Sequence, residues 1–64
     1  MIIDTIKASE AESGDLLTIG EHQMEETSVT DKGDFILIVG YSYLTGDRES
    51  LEVDPDETVY IWTE

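Results

Sequence analysis

Apolar and polar positions along this chain fall into short alternating blocks separated by turn residues, and one block is longer than the rest. Asp34 to Tyr43 is dense in β-branched and aromatic residues and reads as a central β-strand. Under a period of two, Phe35, Leu37, Val39, Tyr41 and Tyr43 share one face, and Ile36, Ile38, Gly40, Ser42 and Leu44 share the other. Both faces are apolar at the start, so the pattern predicts a strand covered on both sides near its beginning. Only the first face stays apolar to the end. Leu37 and Val39 near the strand centre are its expected buried positions, and Gly40 marks a bend or a close approach of another backbone.

The flanking blocks supply its neighbours. Ile2 to Lys7 reads as a first strand, with Ile2 and Ile6 on one face and Ile3 on the other. Ser9 and Glu12 stand at capping-box spacing before Gly14, which predicts a single helical turn with Gly14 in the left-handed C-terminal position. Leu16 to Ile19 predicts a short strand closed by Gly20-Glu21, and Met24 to Thr30 a further strand. Asp31-Lys32-Gly33-Asp34 is a turn by composition and makes a hairpin with the central strand. Thr45-Gly46-Asp47 is the next turn. Arg48 to Val53 alternates with Leu51 and Val53 inward and Glu52 outward, predicting antiparallel pairing with the C-terminal part of the central strand. Asp54-Pro55-Asp56-Glu57 breaks the sheet, because proline donates no hydrogen bond and restricts its predecessor. Thr58 to Thr63 is the last strand.

Together these segments predict an all-β fold: a small five-stranded, partly open SH3-like barrel with one short helical turn after the first strand. A sandwich would need more chain. Closure also keeps Ile36 and Leu44 out of water. Residues 1–64 form one domain, near the lower size limit at which a core holds without cross-links.

The succession Ile6-Lys7-Ala8-Ser9-Glu10, Gly14-Asp15-Leu16-Leu17, the strand Glu26 to Thr30, a long central strand, Thr45-Gly46-Asp47 and a late Val59 resembles the small barrel at the N-terminus of elongation factor P. It is also similar to short proteins of unknown function from actinobacterial phages that open on Ala-Ser and then Gly-Asp. The resemblance implies the barrel fold and a phage origin. The elongation factor presents a modified lysine to the ribosome, whereas Lys32, the lysine nearest such a turn here, is bracketed by Asp31 and Asp34, so that function does not carry over.

Charge changes the picture most. Sixteen acidic residues against Lys7, Lys32 and Arg48 give a formal net charge of -13 on 64 residues. Three scattered cations supply no basic footprint, which excludes direct binding to nucleic acid phosphates or to an anionic membrane and points to a basic partner. The apolar blocks distinguish the chain from acidic disordered segments. Without cysteine there are no disulfides or thiolate metal sites, and an intracellular home is compatible. No segment has the pattern of a signal peptide or the roughly 18 apolar residues of a membrane span. The expectation is a soluble, unprocessed cytoplasmic protein, in the host cytoplasm if phage-encoded.

Candidate chemistry is sparse. His22, the only histidine, would need Glu21 or Glu25 to act as a base or ligand, and its setting in Gly20-Glu21-His22-Gln23 predicts an exposed loop residue. Asp54, Asp56 and Glu57 lack the spacing of a calcium loop and read as a solvated turn. No catalytic residue, metal site or cofactor is predicted. Tyr41, Tyr43, Tyr60 and Trp62 cluster on two late strands, either as a recognition patch or as cross-strand packing, and at least one pair must lie outside because so small a core cannot hold four rings.

The functional expectation is a non-enzymatic acidic binding module that docks on a basic, nucleic-acid-binding surface of a host protein as a DNA mimic. Glu49, Glu52, Tyr60 and Trp62 are its candidate protein-binding residues. The alternative is a structural or accessory barrel whose acidic surface serves solubility in high salt.

Overall fold

The computed structural model describes residues 1–63. Six strands, β1 (Ile2–Lys7), β2 (Leu17–Ile19), β3 (His22–Asp31), β4 (Ile36–Ser42), β5 (Arg48–Val53) and β6 (Thr58–Trp62), form one antiparallel sheet in the order β1-β6-β2-β3-β4-β5. The strand count is therefore six and not five. Each of the six segments read as a strand forms one, and Leu17–Ile19, expected as a short strand, is inserted between β6 and β3, with the two-residue turn at Gly20-Glu21 sending the chain straight back so that Ile19 lies opposite His22. Gly20 takes the positive φ (59°) such a turn demands.

The sheet is compact and not closed. All six strands nevertheless contribute to one core of Ala8, Leu17, Ile19, Met24, Ile36, Ile38 and Val59, with Ile6, Val29, Leu51, Val53 and Ile61 packed against it. A sheet whose first and last strands reach the same core must be curled. Just beyond β1, the chain is tied to the turn that follows β5, with Ala8 N–H donating to Glu57 C=O (2.9 Å) and Ser9 N–H to Pro55 C=O (3.0 Å).

The bend in the sheet has a local cause. Between Glu25 and Ser28 the pairing of β3 with β4 slips, so that Glu26 and Thr27 together oppose Gly40, and Glu26 takes φ 51°. A Cβ on residue 40 would lie 2.8 Å from the Glu25 carbonyl oxygen. The expected close approach at Gly40 is thus real, and the bulge requires it. The loop before β2 seals the backbone beyond the bulge: Gly14 N–H donates to Thr27 C=O (2.8 Å), Thr27 Oγ1 to Asp15 C=O (2.7 Å) and Val29 N–H to Ser13 Oγ (2.8 Å).

The central strand packs by the opposite face from that expected. Ile36, Ile38, Gly40 and Ser42 are buried, whereas Leu37 and Val39 are half-buried and Tyr41 is exposed. The reason lies in the neighbours. Ile38 is flanked by Val29 and Leu51, and Leu37 by Thr30 and Glu52, so only the first row can be withdrawn from water without stranding polar groups. The inward Leu51 and Val53 and the outward Glu52 agree with the sequence pattern. Leu44 falls beyond β4 in the turn and is 76% exposed, because the sheet does not close over it.

The helical turn follows β1 as expected, but as a 3-10 turn over Ala8–Glu10. Ser9 lies inside it and cannot cap it, so the Ser9/Glu12 box is replaced by Glu10, whose Oε1 accepts from Lys7 N–H at 2.9 Å. Gly14 does adopt a positive φ (94°), in the Ser13-Gly14 turn rather than at a helix end. The other turns stand where composition placed them: Gly33 N–H donates to Asp31 Oδ1, Gly46 N–H to Ser42 C=O, and Asp56 N–H to Asp54 Oδ1.

Candidate interaction surface

The expected binding residues do not form one surface. Glu49 lies opposite Gly40, on the same face of β5 as the inward Leu51 and Val53, whereas Glu52 lies opposite Leu37 on the outer face. The strand period of two separates them, since 49 and 52 differ by an odd number. Glu49 is half-buried and its Oε2 sits 2.9 Å from His22 Nδ1, joining the edge strand β5 to the start of β3. His22 is exposed as expected, but it is the first residue of β3 and not a loop histidine, and its partner is neither Glu21 nor Glu25. Its distance of 27 positions from Glu49 left no local signal for this pair.

The aromatic residues divide differently again. In β6, Val59 and Ile61 face the core and Tyr60 faces outward opposite Thr18 and Thr5. Trp62 alternates with Ile61 and stands apart from the main core, yet it is only 6% exposed. Tyr43 covers it, with ring centroids 4.7 Å apart at 83°, an edge-to-face contact worth about 0.5–1.5 kcal/mol beyond burial. Trp62 therefore presents little area to a partner. Tyr41, Tyr43 and Tyr60, at 40%, 39% and 36% exposure, carry the accessible aromatic surface. Both readings of the aromatics apply, with cross-strand packing at Trp62 and exposed rings beside it.

Tertiary structure also gathers the two acidic turns that are separate in sequence. Ile36 pairs with both Asp31 and Val53, which sets Asp54 alongside the Asp31–Asp34 turn. The 3-10 turn bonds to residues 55 and 57 and brings Glu10 to the same rim. Asp31, Asp34, Asp54, Asp56, Glu57 and Glu10 are all exposed there, and Lys7 forms a loose pair with Asp56 (3.8 Å) across it. With both partners largely in water, that pair contributes little to stability. Besides it, His22–Glu49 is the only other pairing of a basic with an acidic side chain among the described residues, and no carboxylate there is buried. The negative charge is thus displayed and scarcely compensated.

Among the described residues there is no pocket, no group of three or more metal-binding side chains, and no helix long and apolar enough to cross a membrane. Comparison of the chain with protein-family models, with curated proteins and with solved structures finds no match.

Proposed function

We propose that this chain is a non-enzymatic acidic binding module, phage-encoded and acting in the host cytoplasm, that docks on a basic, nucleic-acid-binding surface of a host protein as a DNA mimic. The observation that carries the reading is the scarcely compensated display of carboxylates on a folded sheet, with six of them on one rim against Lys7 and Lys32. Carboxylates held by backbone pairing offer arginine and lysine the same kind of charge-assisted acceptors that phosphates do, without the cost of ordering a flexible tail. The curled sheet, with a 3-10 turn lying across the turn after β5, supports the SH3-like description of the fold. Glu52 and Tyr60 remain candidate contacts from the outer face, with Glu49 and Trp62 supporting the strands that carry them.

The test is capture of host proteins on the immobilised chain at about 0.01 M salt, where charge acts over about 30 Å, followed by elution with duplex DNA. The reading expects retained proteins that DNA displaces and that about 1 M salt releases. Retention indifferent to both would overturn it. The rival reading, an acidic surface serving solubility in high salt on an accessory protein, expects no DNA-displaceable partner. Glu52→Gln tests the outer face separately, with Glu12→Gln as a control of equal charge, and mimicry at that face predicts a slower association for the first only.

A further inference from the structure

β1 is an edge strand, paired on one side with β6 and open on the other. It contains no proline and carries Ile2 and Ile3 at 57% and 58% exposure, features that ordinarily invite a second strand, and its one irregularity, the register shift between Ile2 and Asp4, leaves the regular stretch from Asp4 to Lys7 unprotected by backbone geometry. In an antiparallel strand, alternate residues direct their N–H and C=O groups to alternate sides. Two alternate N–H groups of β1 are taken by carboxylates of the chain itself: Thr5 N–H donates to Asp4 Oδ1 at 2.8 Å and Lys7 N–H to Glu10 Oε1 at 2.9 Å. These donors are turned away from β6, toward the open edge. The pairing with β6 shifts between Ile2 and Asp4, so the regular alternation holds only from Asp4 onward, and two copies of β1 pairing antiparallel about Thr5 would draw on the N–H groups of Thr5 and Lys7 from each chain. Asp4 and Glu10 occupy both.

We infer that Asp4 and Glu10 are edge guards, whose carboxylates occupy the free donors of β1 and so prevent it from adding the β1 strand of a second copy of this chain. This role is independent of the proposed partner. Charge repulsion opposes self-association as well, but salt screens repulsion, whereas a carboxylate already bonded to the edge blocks the strand at any ionic strength. Glu10 has the geometry for this only because the 3-10 turn folds it back over Lys7. The opposite edge, β5, is defended otherwise, by the inward Glu49 and by outward Arg48, Ser50 and Glu52.

The test compares two double variants with the parent by sedimentation equilibrium in about 1 M salt, where screening reduces the Debye length to about 3 Å. Asp4→Ala with Glu10→Ala removes both caps, and Asp4→Asn with Glu10→Gln removes the same two charges but keeps an acceptor oxygen at each position. The inference expects a monomeric parent and amide variant, and an alanine variant at twice the monomer mass or more. A monomeric alanine variant, or equal association of both variants, would overturn it. Should the alanine variant fail to fold, hydrogen exchange in the parent decides: Thr5 and Lys7 amides must exchange more slowly than in an unfolded peptide, and free exchange at both sinks the idea.

Discussion

Gly40 shows how one residue governs the bend of the sheet. Its missing Cβ makes room for the Glu25 carbonyl, which belongs to backbone and cannot swing aside. We expect Gly40→Ala to destabilise the fold by about 1–3 kcal/mol, as overpacking does, measured by urea denaturation, and an unchanged midpoint would show that the bulge relaxes freely. The neighbouring pair Ile38 and Leu37 makes the complementary test. Ile38 is fully buried, so Ile38→Ala should cost about 2–5 kcal/mol. Leu37→Ala should cost distinctly less, because its side chain already meets water on the outer face. Equal losses at the two positions would contradict the assignment of the core face.

At the scale of elements, β3 is the strand on which the others depend, since its first part pairs with β2 and both parts pair with β4 across the bulge. The loop ahead of β2 replaces the missing strand beyond that bulge. Thr27 is 5% exposed and its hydroxyl is the side-chain tie to Asp15 C=O. Thr27→Val keeps the shape and removes the donor. It should cost about 1–3 kcal/mol, the penalty for leaving a partly buried acceptor unpaired, and should speed amide exchange at Gly14. Unaltered exchange at Gly14 would mean that the loop is held by backbone bonds alone.

Over the whole molecule, the net charge of -13 sits on a body of 29 × 23 × 19 Å, so displayed carboxylates are close enough to repel one another. Between about 0.01 M and about 1 M salt the Debye length falls from about 30 Å to about 3 Å. Thermal stability should rise over that range, as followed by circular dichroism of a mainly β spectrum. A flat midpoint would show that the carboxylates are too dispersed to oppose folding. The effect matters because domains of this size hold only a few kcal/mol in reserve, comparable to the loss expected from Ile38→Ala.

What was legible in the sequence is what neighbours along the chain decide. The strands, the turns at Gly33, Gly46 and Pro55, the inward set of β5 and the tight contact at Gly40 follow from residue type and a period of two, which act over a few positions. Three features required the fold. The core face of β4 was chosen by the residues of β3 and β5 beside it: both faces of that strand are apolar, and periodicity alone cannot rank them. The His22–Glu49 contact and the acidic rim join positions far apart in the chain, and only strand register sets such distances. Trp62, expected as an exposed anchor, is covered because Tyr43 turns back over it at the end of β4. Local pattern thus determined which segments become strands, while packing between non-adjacent strands determined which side of each strand meets water, because burial is a property of the pair and not of the residue.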